Sequence, residues 1–557
     1  MKGLRHLLYP ATVLFLIGIT LSGCFGCSSS SSPDKNSQTE DPTQSVGVNV
    51  LSLKDNSAEF EIADNCEDGD GEYFLRVSND SGFIKEKSAP GNSILQFDGL
   101  KKNTIYKASL FDNAETLYDE IVVKTFQDPK ENSLELFILT DASFATDQEV
   151  GITVFGYNPF NQELHLERRS TQFRDIIPTV IDGNVETNGN VIFTIDEDIS
   201  AVVKEPGYFR LSYTVDKSYQ ERRAGYLDEH YLMTTVDQLF LLPHDQIHNH
   251  YFQNNDELEI NGHLNVPDGW NTDTGFPEKN GLIRFLDTNN TLSLQAAQLF
   301  GFNADYFIIQ EMEILGTEVI VILENSVDPE VMDIVFDVYE LIAWAWGDKP
   351  EYNTDDRYSV MLVDDERNIY GGEHDTHQGY SVSHHGKTTP MLSHQIFHRW
   401  NGWHRGVDWD WSSPHHRGLW VEGVTEYYAH KVYRELGYSE SLEHQYNWYK
   451  SIRGTADDIP ILDFDGNLQH DGRIIYYKGP LLAYKLDEKI IEHSGGEHSL
   501  EDILQYTWEK WQENRQKVNY DKILTYIQNE LGLQEVITWW DEHIVGNQPI
   551  HIDKFEG

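Results

Sequence analysis

Cysteine is almost absent from this chain: there are three in 557 residues, Cys24, Cys27 and Cys66. A disulfide-stapled scaffold and a thiolate metal knot are thereby excluded, since neither Cys27 nor Cys66 stands in a metal-type pair. A bridge between these two would tie the N-terminal segment to the first folded unit; the alternative is one exposed and one buried thiol. Positive charge is scarce too. Lys and Arg number 42 against 92 Asp and Glu, a formal charge of -50, which repels phosphate backbones and anionic head groups. Nucleic acid is therefore not expected as a partner. The acidity is spread along the chain and reads as a hydrated surface. After the N-terminal segment no apolar run is long enough to span a bilayer, and no internal repeat occurs. The length also rules out one ordinary core: roughly one domain per 100–200 residues gives three or four.

The N-terminus is an address. Lys2 and Arg5 precede the apolar "LLYPATVLFLIGITL", and small residues lead into a cysteine in "LSGC". This resembles a bacterial lipoprotein signal, with Leu21, Ser22 and Gly23 as the lipobox and Cys24 as the lipidated first residue. The resemblance implies a signal at 1–23 and a mature protein held in the bacterial cell envelope through a lipid at Cys24. Phe25 after the anchor implies transport to the outer membrane, facing the periplasm or the exterior. The Ser-rich stretch 24–45 is too polar to bury anything and reads as a flexible tether.

Short alternating runs fill 46–128, as at Ala58, Phe60 and Ile62, with Asn, Asp and Gly between them. That pattern predicts a small antiparallel sandwich. Leu100, Thr104 and Tyr106 resemble the L-x-x-x-T-x-Y signature of fibronectin type III domains, which implies a spacer module. Strand-like texture continues through 129–292 with different punctuation, predicting a second β unit. The period then changes. In "DPEVMDIVFDVYELIAWAWGD", Asp328 is an expected N-cap and Pro329 opens the first turn, with Met332, Val335, Val338, Leu341 and Ile342 at helical spacing. Helical, aromatic-rich texture follows, so 293–557 is expected to be a mainly helical domain.

The chemistry begins in "MLSHQIFHRW", where His394 and His398 stand four apart. On a helix both imidazoles share one face and can chelate one ion. Two histidines four apart also arise by chance in a chain with 23. Downstream, "GLWVEGVTEYYAHKVY" offers Glu422 beside Gly423 at an expected helix start, with Glu426 one turn on. A carboxylate from a second helix would complete a His₂Glu set and leave one coordination position open, as catalytic zinc sites do. In "GRIIYYKGPLLAYKL", Tyr476 precedes Lys478 and Gly479. Its phenol is either an oxyanion donor or a packed aromatic. Further histidines, among them His374, His377, His384, His385, His404, His415 and His416, flank the pair and read mainly as loop residues.

Taken together, "SHQIFHRWN", "LWVEGVTEYY" and "YYKGPLLAYKLD", with "YGGEHDTHQGYSVS" upstream, resemble the catalytic domain of peptidase family M61, the glycyl aminopeptidases, and more distantly the M1 aminopeptidases. Both are gluzincins. "FRDI", "LFLLP" and "VPDGW" are likewise similar to the M61 N-terminal β domain. The resemblance implies two β-sandwich-like domains followed by a thermolysin-like catalytic domain. It implies one Zn2+ held by His394, His398 and Glu422, with Tyr476 as transition-state tyrosine, Glu373 on the substrate side, and peptides or proteins as substrates or ligands. "LWVEG" is one residue shorter than the family's L-W-x-x-E-G, and "GGEH" lacks the apolar residue before its glutamate. What this chain lacks most tellingly is the motif's own base. The peptidase version reads H-E-x-x-H, its glutamate taking a proton from the attacking water. Here Gln395 stands in that place, and an amide cannot accept that proton. Either Glu426 or Glu373 substitutes as base through water, or the domain is a pseudopeptidase that binds peptides or partner proteins in the same cleft.

Overall fold

In the computed structural model the described residues are 46–64, 71–127, 133–141, 149–159, 163–167, 180–181, 191–194, 200–216, 226–227, 230–235, 239–243, 257–267, 269–274, 278–286, 298–350, 357–364, 377–382, 390–402, 407, 417–437, 441–455, 457–463, 472–514, 517–553 and 555. The expected signal, tether, lipidated Cys24, Cys27, Cys66 and Glu373 lie outside them, as do all the flanking histidines except His377. Among the described residues no helix is long and apolar enough to cross a membrane.

The first module is a seven-stranded sandwich. Alternate residues of Ser57–Asp64 point inward, so Ala58, Phe60 and Ile62 are buried while their neighbours are not. One sheet pairs Val46–Leu53, Ser57–Asp64 and Ser93–Asp98; the other orders Ile84–Pro90, Glu72–Ser78, Ile105–Phe111 and Leu117–Lys124. Buried Tyr106 closes one corner, its hydroxyl accepting from the Lys101 backbone N–H at 2.6 Å.

The middle unit is built on a seven-stranded sheet. Within it Glu149–Asn158 pairs antiparallel with both Gly207–Asp216 and Ser133–Asp141, and Ser133–Asp141 runs parallel to Glu257–Asn265. Its inner face carries Leu134, Leu136, Ile152, Val154 and Leu211, all buried. Phe137, Phe155 and Leu282 of this unit pack into the core of the first module with Val122 and Phe126. Beneath that shared core Lys124 donates to Glu135 at 2.8 Å and Glu259 at 2.5 Å. Gln298–Asn303 pairs with Tyr231–Thr235 in a further four-stranded sheet, whose Phe300 and Phe302 pack on Ile320 and Met361.

The remaining body combines a sheet with helices. Phe307–Ile314 and Thr317–Glu324 form a hairpin, and Arg357–Asp364 and His377–Val382 continue it in parallel. Arg357 and Ser359 both donate to buried Asp273 of the middle unit, at 3.0 and 2.9 Å. The helix Glu330–Trp346 covers the sheet. Asp328 accepts from the Glu330 N–H at 3.0 Å, capping its start, and Met332, Val335, Val338 and Ile342 are buried. Behind it lie Pro390–Phe397, Val424–Glu435, Glu443–Ile452, Gly479–His493, Leu500–Asn514, Tyr520–Asn529 and Gln534–Trp540 in one continuous core. β-rich units are thus followed by a helical C-terminal region.

Candidate metal centre

The helix Pro390–Phe397 is short, but the His398 N–H still donates to the His394 carbonyl at 3.3 Å, so the fourfold spacing puts both rings on one face as the sequence predicts, edge to face with centroids 4.7 Å apart. Both are buried, and their Nε2 atoms lie 3.0 Å apart. Glu422 arrives from the π-helical turn Arg417–Gly423, which runs directly into the helix Val424–Glu435. Such wide turns recur at functional sites because they redirect a side chain without ending the helix. Glu422 Oε2 is 3.5 Å from each histidine Nε2. That oxygen is buried and has no hydrogen-bond partner among the described residues.

The far edges of both rings are committed. His394 Nδ1 donates to Glu426 at 2.8 Å and His398 Nδ1 to the Asn401 carbonyl at 3.1 Å. With each Nδ1 carrying a proton, both Nε2 atoms present lone pairs, and a carboxylate oxygen faces them. Three acceptors converging at 3.0 to 3.5 Å repel one another unless a proton or a metal cation lies between them. A point roughly 2 Å from all three exists in that triangle, which is the bond length zinc makes to imidazole and carboxylate. The residues present fit a divalent metal, and His394, His398 and Glu422 are the one group among the described residues with metal-ligand spacing.

Electrostatics make the same demand. Burial alone would strip the His394 ring of its proton, but the carboxylates of Glu422 and Glu426 facing its two nitrogens outweigh it and push the pKa up to about 10. Against the same cost of burial, His394 and His398 hold Glu422 well below the usual carboxylate range. His394 and His430 likewise hold Glu426 down at about 2. The cluster wants positive charge, and a proton must leave His394 before that ring can bind a metal.

Tyr476 stands in a second π-helical turn, Ile474–Lys478, its ring centroid 6.1 Å from that of His394. Lys478 is buried and donates to Asp458 at 2.7 Å, to the Ile459 carbonyl at 2.6 Å and to Asn547. The two π turns meet backbone to backbone: a Cβ on Gly423 would lie 2.8 Å from the Gly479 carbonyl carbon, and one on Gly479 2.9 Å from the Gly423 Cα. Gln395 is half-buried on the histidine helix. Glu426, expected as one possible substitute base, is engaged on both of its oxygens. Its Oε2 is held by His394 Nδ1 and its Oε1 lies 3.3 Å from His430 Nε2, so it sits behind the ring, on the edge opposite to the converging Nε2 atoms. Sequence reasoning missed Asn401, His430 and the Gly423–Gly479 contact. Only the glycines left a signal, in "VEG" and "YKG".

No protein-family model matches the chain, and no curated protein matches its sequence. Solved structures do. An aminopeptidase N family protein from Idiomarina loihiensis superposes with a TM-score of 0.56 at 16% identity, over 75% of this chain and 77% of that one. The fold is that of an aminopeptidase N protein. An M1 zinc metallopeptidase from Deinococcus radiodurans also aligns, with a TM-score of 0.45 at 14% identity over 76% of this chain and 95% of the other.

Proposed function

We propose that this protein is a zinc-binding, surface-anchored metallopeptidase-like protein of M61 type, whose cleft takes the N-terminal region of extracellular peptides and hydrolyses them slowly or not at all. The observation that carries the reading is the triangle of His394 Nε2, His398 Nε2 and Glu422 Oε2, 3.0 to 3.5 Å on a side and buried. His394, His398 and Glu422 would hold one Zn2+, which when bound supplies Lewis-acid polarisation of a substrate carbonyl and acidifies water.

What the chain's own residues contribute follows from their chemistry. The Tyr476 phenol, beside His394, can donate to the oxygen on which charge develops during attack on a carbonyl. Gln395 occupies the position from which a glutamate would take the water's proton; its amide can orient water by a hydrogen bond but carries no basic site. Glu426 is engaged with His394 and His430, which favours the pseudopeptidase reading over a relay through that residue. Glu373 is proposed as the substrate-side carboxylate by its match to the family segment alone. The first module, with its three- and four-stranded sheets and its Tyr106 corner, is proposed as fibronectin type III-like. A lipid at Cys24 would hold the whole on a bacterial outer membrane.

Metal analysis of the purified chain tests the reading. One tightly held zinc per chain is expected, lost in His394→Ala, His398→Ala and Glu422→Ala; retention in all three overturns it. A peptide-library assay then separates the two outcomes for activity. Gln395→Glu should raise hydrolysis by about 10²–10⁴, the contribution of a placed general base. Efficient native turnover that this change does not improve would contradict a missing base.

A further inference from the structure

Asn401, the last residue of "SHQIFHRWN", touches both halves of the candidate metal centre. It is fully buried, just past His398. Its backbone carbonyl accepts from His398 Nδ1 at 3.1 Å, fixing that ring's tautomer and its plane. Its side chain reaches the other way, to the π-helical turn that carries Glu422. There Nδ2 donates to the Trp420 carbonyl at 2.6 Å, with Val421 O at 3.4 Å and Thr425 Oγ1 at 2.9 Å sharing its two hydrogens.

These acceptors sit where the chain returns from the wide turn to an ordinary helix at Val424. At such a change of hydrogen-bond register, carbonyls lose their regular partners and need others, because a buried orphan is costly. The neighbouring residue completes the fit. Gly402 has a φ of 93°, and a Cβ there would lie 2.7 Å from Val421 Cγ1, so only glycine lets the Asn401 turn and the Glu422 turn approach this closely. Asn401 thus holds a ring from the first histidine-bearing helix and the residue next to the carboxylate ligand in one hand span.

We infer that Asn401 is a positioning residue that sets Glu422 against His398, so that a divalent cation meets three donors already in place. The inference rests on the zinc reading above. Deleting its amide leaves the ligands present but lets the Glu422 turn relax, and supporting residues of this kind are worth about 10–100-fold in metal affinity.

The test uses the full chain, stripped of metal and titrated with zinc against a chromophoric chelator, with Co(II) as a spectroscopic stand-in. Asn401→Ala and Asn401→Asp are expected to bind zinc about 10–100-fold more weakly and to alter the visible Co(II) absorption, which reports ligand geometry. Thr425→Val removes one acceptor of the amide and should show a smaller loss of the same kind, so the expectation stands even if Asn401→Ala does not fold. Ile527→Ala serves as a control, because it removes buried core volume outside the site. It should lower the melting temperature while leaving zinc affinity within about twofold and the Co(II) spectrum unchanged. Wild-type affinity and spectrum in the Asn401 variants, or a loss no greater than that of Ile527→Ala, overturns the inference while the zinc reading stands. A wild-type chain without zinc affinity overturns both.

Discussion

Glu426 accepts from His394 Nδ1 at 2.8 Å, and a ring nitrogen bound in this way makes its opposite neighbour a better donor to a metal. The pair is partly buried and charge-assisted, so its removal acts on the metal through His394 and not through contact. Glu426→Gln keeps the shape but replaces a carboxylate by a neutral amide. Zinc affinity should fall by about 10–100-fold, read by chelator competition, while any hydrolysis gained in a Gln395→Glu background falls with zinc occupancy and recovers at saturating metal. Failure to recover at saturation would return Glu426 to the reacting water and reinstate the relay. The sequence left the role of Glu426 open for a plain reason. Glu422 and Glu426 are one turn apart and share a helical face, a fact the sequence carries. Which edge of an imidazole each one meets depends on the tilt between two helices, and no spacing encodes that.

At the scale of elements, the centre is two π-helical turns, one carrying Glu422 and the other Tyr476, held together where Gly423 of the first meets Gly479, the residue that follows the second. A methyl group on Gly423 would push against Gly479 backbone at 2.8 to 3.1 Å, where nothing flexible can give way. Gly423→Ala should therefore cost about 1–3 kcal/mol of stability and weaken zinc binding together with it. Gly437→Ala, at φ +87° with open space around it, should cost about 1 kcal/mol through backbone conformation and leave zinc binding alone. Thermal melts and zinc titrations of the two variants side by side decide the matter; equal effects on zinc would mean that the glycine contact does not set the ligand. Much of this layer was legible. The apolar spacing of Met332, Val335, Val338 and Ile342 located the helix, Asp328 the side chain that meets its first turn, and the fourfold histidine spacing the candidate site, because each is a local pattern. The π turns were not legible, since a one-residue widening leaves the hydrophobic pattern almost intact, and Asn401 was not, since its partners Trp420, Val421 and Thr425 lie about twenty residues on.

For the molecule as a whole, the question is whether the first module is a spacer on a hinge or a fixed extension of the body. Lys124 of that module is almost fully buried between Glu135 and Glu259 of the middle unit, under a core to which both contribute. Burial dominates at Glu135 and holds its carboxyl above the usual range despite Lys124. At Glu259 the charge and hydrogen bond of Lys124 overcome burial and hold the carboxyl below it. One cation thus serves two carboxylates, and its loss leaves Glu135 with the Gln127 N–H and Glu259 with Asn261, Gln127 and the charge of Arg284. Lys124→Met should destabilise by about 3–5 kcal/mol and split thermal unfolding, with the first module melting ahead of the rest. The sign with pH follows from linkage. Removing Lys124 shifts both folded-state pKa values upward, so protonation favours the folded variant more than it does the wild type; the deficit relative to wild type is smallest at low pH, where both carboxyls are protonated, and grows as pH rises. Melting curves of both proteins at pH 5 and pH 8 should show the gap widening at pH 8. A gap that does not change with pH, or a single unsplit transition, would mean that packing through Phe126, Phe137 and Phe155 fixes the module and that the ion triad contributes little.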